Sequence, residues 1–149
     1  GIDIADPGTS VAFTKRPIGL WIERFTATGA MGLKNDGRSA FPPTTAQAFT
    51  AVGNTITVTT TVHQFTSNAA YILTSTPTLA DGEDGQIVTL INVDTTAADI
   101  ITIQDQGTLG SSNLRLSATT IALGPRDSIT LMYSSTVGDW VQIGQTNVL

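Results

Sequence analysis

His63 is the only histidine in the chain, and there is no cysteine. A Ser-His-Asp triad would have to be built on it, because the imidazole is the base that activates the serine. It follows an alternating apolar run in "TVHQF", and the simpler reading is a strand-end histidine that hydrogen-bonds or faces water. A zinc site takes four ligands, commonly His and Cys. One histidine could serve only if carboxylates or other copies of the chain completed the set, as three copies of His63 on a trimer axis would.

Asp81, Glu83 and Asp84 cluster in "ADGEDGQ". The alternating aspartates and distant glutamate of a helix-loop-helix calcium loop are missing. The segment therefore reads as a solvated hairpin turn, with a loose calcium site as the alternative. Glycosidase chemistry needs two carboxylates flanking a cleft, and nothing singles out such a pair. No glycine run matches a phosphate-binding loop or a dinucleotide fingerprint. Trp140 and Tyr133 could stack on a sugar, but they read first as core or edge residues of a β-structure. Arg126, after Pro125 in "GPRD", is expected to pair with Asp127 or another surface carboxylate, which adds little stability. No metal, cofactor or catalytic group is expected, and the chain reads as a non-enzyme.

The elements that would carry these residues are strands. Charged residues make up 13% of the 149 residues, about half the usual share. There are 26 threonines among many valines and isoleucines, which suits pleated, half-exposed surfaces. "TITVTTTV" (55–62) alternates strictly and predicts a strand. Further strands are expected over 69–74, 86–93, 99–105, 114–117, 120–123, 128–134 and 139–144. Two Asp-Gly pairs predict a hairpin turn within 77–86. About eight strands at this spacing predict an all-β domain over 54–149: an antiparallel β-sandwich or a jelly-roll-like barrel.

Residues 1–53 read as an extended arm and irregular segment, with one helical turn allowed after Pro43 in "FPPTTAQAFTAV". Five of the nine aromatics lie in the first third: Phe13, Trp21, Phe25, Phe41 and Phe49. Large rings must bury somewhere, either on one end of the β-domain or on another chain. Charge is uneven too. Residues 1–40 carry five cations against four carboxylates, and the remainder carries Arg115 and Arg126 against eight. Nucleic-acid binding needs clustered Lys and Arg, so an acidic body argues against it. No apolar run approaches the roughly 18 residues of a membrane span, and no secretory pattern opens the chain.

Residues 84–144 resemble a β-module recurrent in tailed-bacteriophage surface proteins. The motif positions are Gly85, Val88, Leu90 and Asn92, then Ile101, Ile103 and Asp105. Leu123, Pro125, Ser128, Ile129 and Leu131 follow, then Trp140 and Val141. Arg126 stands where the module usually has glycine. The resemblance implies a virion surface protein, commonly a homotrimer. Two roles follow from it. The first is a capsid decoration, or cement, protein that bridges major capsid subunits and attaches through Phe13, Lys15, Arg16, Trp21 and Arg24 of the arm. The second is a tail-fibre or receptor-binding module whose loops at 77–85, 94–98 and 106–113 meet host surface glycans, with Trp140 stacking on sugar. A polysaccharide-degrading enzyme ranks last, for want of an acid/base pair.

Overall fold

A computed structural model describes residue 43 and residues 45–148. These residues form strands and no helix: β1 (Gln47–Phe49), β2 (Val62–Ser67), β3 (Tyr71–Ile72), β4 (Ile87–Asn92), β5 (Ile101–Gln104), β6 (Leu114–Arg115), β7 (Thr120–Leu123), β8 (Ser128–Ser134) and β9 (Asp139–Thr146). A six-stranded sheet has the order β1-β2-β4-β8-β9-β6, and a three-stranded sheet has the order β3-β5-β7.

The described residues are all-β, as the composition requires, but their sheets are mixed rather than antiparallel. β1–β2, β2–β4, β3–β5 and β6–β9 run parallel, while β4–β8, β5–β7 and β8–β9 run antiparallel. Parallel neighbours need a crossover of about a dozen residues, and the expected strand 55–62 is largely spent on one. It leaves β1, runs extended, and touches a ladder only where Ile56 bridges Leu79, until β2 begins at Val62. Its alternation is still physical, because extended backbone sends successive side chains to opposite sides whether or not it is laddered. Ile56 is buried and Thr55 and Thr57 are exposed. The same accounting corrects two further expectations. The described residues after Pro43 form a strand, β1, and no helical turn. The Asp-Gly segment turns at 83–86, where Gln86 N–H donates to Glu83 O. It does not close a hairpin, because β3 and β4 lie in different sheets.

The 114–144 region follows its pattern closely. β7 and β8 occupy the expected spans, and β8 alternates half-buried and buried residues along its whole length. Gly138, at φ +77°, closes the β8–β9 hairpin with its N–H on Ser134 O. Its left-handed backbone is open to glycine at no steric cost. Both sheets feed one apolar cluster, including Phe65 and Leu90 from the larger sheet and Ile103 and Leu123 from the smaller. Burying each such side chain contributes about 1.5–3 kcal/mol. Phe49, in the segment read as irregular, is fully buried and packs edge-on against Phe65 at 5.6 Å.

Candidate interaction surface

Asn92 ends β4 at the seam between the sheets. Its Nδ2 donates to Leu123 O and to Asp99 O, both at 2.9 Å, and its Oδ1 accepts from Asp94 N–H. Its backbone N–H donates to Asp127 O, and its carbonyl accepts from Arg126 N–H. One fully buried side chain thus ties β4, β7 and the 93–99 loop together. Asp105 is built likewise. Its carboxylate accepts from Gly107 N–H and Leu116 N–H. Burial pushes its pKa up, but those N–H groups and the charge of Arg115 outweigh burial and leave it below the ordinary value.

Asp127 is buried, and its carboxylate caps the turn by accepting from Gly124 N–H and, at 2.6 Å, from Val148 N–H. It is not the exposed partner expected for Arg126, which itself sits at φ +70°. Glycine takes that left-handed value without strain.

The 75–86 segment straps across the end of the six-stranded sheet. Asn113 Nδ2 donates to Leu79 O at 2.6 Å and to Asp81 Oδ1 at 3.2 Å. Trp140 Nε1 donates to Ala80 O at 3.0 Å. Asp84 accepts from Ser135 N–H, which lowers its pKa. Of the candidate calcium ligands, Asp81 and Asp84 are therefore engaged in holding the strap. Among the described residues, no group of three His, Cys, Asp or Glu side chains stands close enough to hold a metal ion. Trp140 is 1% exposed and meets Tyr133, its cross-strand partner, edge-on at 5.3 Å. Neither ring offers a flat face to a sugar. Burial first, then the charges of Asp81, Asp139 and Asp84, raise the Tyr133 pKa. Beside them Arg115 Nε holds Asp139 Oδ2 at 2.6 Å.

His63 is not at a strand end. It lies inside β2, 2% exposed, with Nε2 3.1 Å from Gln47 Oε1. Burial alone lowers its pKa. A ring so enclosed serves neither a surface triad nor a metal shared on a symmetry axis.

The outer face of the six-stranded sheet carries exposed and half-buried side chains. Ile87, Met132 and Val141 form one cross-strand row. Thr89 and Thr130 form the next, their hydroxyls 3.1 Å apart. Phe13, Lys15, Arg16, Trp21 and Arg24, the residues expected to attach to a capsid, lie outside the described residues.

Sequence reasoning missed Gln47, Ser112 and Asn113 as fasteners. Single polar residues carry no periodic signal, and their partners are 8 to 34 positions away. No family model matches the chain, and no curated protein matches it. A solved structure described as a chaperone–substrate complex is similar over 72% of this chain at 15% identity and a TM-score of 0.40. This chain covers 19% of that one, and a likeness of that size carries no argument about function.

Proposed function

We propose that the protein is a non-enzymatic virion component of a tailed bacteriophage: a trimeric capsid decoration protein whose two sheets pack as a sandwich. One observation carries the reading. Two polar motif positions of the phage-like module are spent inside the body, Asn92 on the sheet seam and Asp105 on a loop. The apolar ones, such as Leu90, Ile103 and Trp140, are core. A module built this way is a rigid spacer with a hydroxyl-rich coat, and recognition falls to sequence outside it. That sequence is the aromatic and basic stretch with Phe13, Lys15, Arg16, Trp21 and Arg24. Laid along capsid-subunit edges, such a segment adds strand-like contacts, and three per trimer multiply weak binding into avidity. The glycan-binding alternative loses its stacking residue, because Trp140 is enclosed.

The test is co-sedimentation of the purified chain with undecorated expanded heads, against binding to host cells and glycans. Saturable, stoichiometric head binding by a trimer is expected, with attachment abolished by deletion of residues 1–24 while the β-body stays folded. Binding to cells or glycans without heads moves the protein to the tail fibre. Head binding that survives the deletion refutes the role of the arm, and a monomeric mass by light scattering refutes the trimer.

A further inference from the structure

Gln47, on the edge strand β1, makes three side-chain hydrogen bonds at once. Its Nε2 donates to Thr55 O at 2.7 Å, and its Oε1 accepts from Thr57 N–H at 3.0 Å. Those two backbone partners set which end of the amide is oxygen. The third contact, Oε1 to His63 Nε2 at 3.1 Å, must then be donated by the ring. The neutral ring is therefore the Nε2–H tautomer. Among the described residues, its other nitrogen, Nδ1, is buried with no hydrogen-bond partner. The ring sits on the inner face of β2 with Phe65, and its neighbour across the ladder is Leu90. Among the described residues, no carboxylate or cation from β1, β4 or the 55–57 segment shifts its titration; burial is the whole cause.

We propose that His63 is an acid-sensitive latch: protonation of Nδ1 places an unpaired donor and a charge in the core, and releases β1 and the 55–57 crossover from the β2 edge. β1 is suited to that, being three residues long and, among the described residues, paired only to β2. A buried charge without a partner is relieved by opening, and β1 is the element that Gln47 ties to the ring. The sign follows from linkage. A histidine whose folded pKa lies below its ordinary 6.5 contributes stability that is fully present above that pH. The contribution is lost as pH falls from there through the folded value. The inference does not depend on the proposed virion role.

The test is hydrogen exchange of the full chain between pH 7.5 and 4.5, corrected for intrinsic rates. Because His63 is the only histidine, its ring-proton NMR signal reports its own titration without ambiguity. Below pH 6.5, protection of the β1 and β2 amides should fall by up to about tenfold per pH unit, since one proton is linked to the opening. β8–β9 protection should hold, and H63L should flatten the pH dependence at β1. A ring titrating at or above 6.5 overturns the latch. So does β1–β2 protection that ignores pH, or loss of protection in all strands together. Should H63L fail to fold, the wild-type titration and exchange decide alone.

Discussion

Replacing Asn92 with leucine keeps a side chain of similar bulk in the seam and removes all of its polar contacts. Three partners are abandoned. Leu123 O is fully buried, so its loss carries the full desolvation penalty of about 1–3 kcal/mol. Asp99 O and Asp94 N–H are partly buried and regain some water, so each is assigned about 0.5–1.5 kcal/mol. The sum is about 2–5 kcal/mol after allowance for the apolar gain, a large fraction of a typical domain's stability of about 5–15 kcal/mol. Urea unfolding at pH 7 reads this directly. With a slope of about 2 kcal/mol per molar, the midpoint should drop by about 1–2.5 M at unchanged slope. N92D should be worse at neutral pH, because a carboxylate oxygen would then face the carbonyls of Leu123 and Asp99. A midpoint for N92L within about 0.3 M of wild type would refute the claim that this one amide fastens the two sheets.

Three other outcomes follow from the same geometry. A Cβ at Gly82 would lie 2.7 Å from Trp140 Cζ2; G82A should cost about 1–3 kcal/mol and lower the thermal midpoint by at least about 3 °C, and an unchanged melt would show that the strap is not seated on the indole. Arg126 holds a left-handed backbone, so R126G should be at least as stable as wild type, while R126V should lose about 1–2 kcal/mol; equal stability of the valine variant contradicts that backbone. Asp105 has a pKa below its ordinary 3.8, so its contribution is present above that pH and is lost as pH falls through its folded value. D105N should be less stable at pH 6, and the gap should narrow as pH falls below 3.8; a gap that does not narrow would mean the carboxylate charge is irrelevant.

The parts legible in the sequence were those where each residue's burial repeats with the strand. β8 and β9 are joined by a tight turn, so the alternation of β8, the glycine at 138 and the burial of Trp140 all follow from neighbours along the chain. β5 and β7 are equally readable, because Ile101 and Ile103 face Leu123 and Ile121 across a local antiparallel ladder. β1 and β2 were not. They pair in parallel across a crossover, and "VHQFTS" mixes polar and apolar residues on its buried side.

The β-branched, threonine-rich, charge-poor composition was enough to dictate an all-β body, because such residues suit a pleated surface and little else. Which extended segments are strands and which are crossovers was decided only by tertiary structure. An alternating run looks the same whether its backbone groups meet a ladder or the solvent, and a distant chain segment must supply the partner. The same holds for the fasteners. Asn92, Asn113 and Gln47 are ordinary polar residues in the sequence, and the fold makes each one structural by setting its side-chain amide against backbone groups of another segment.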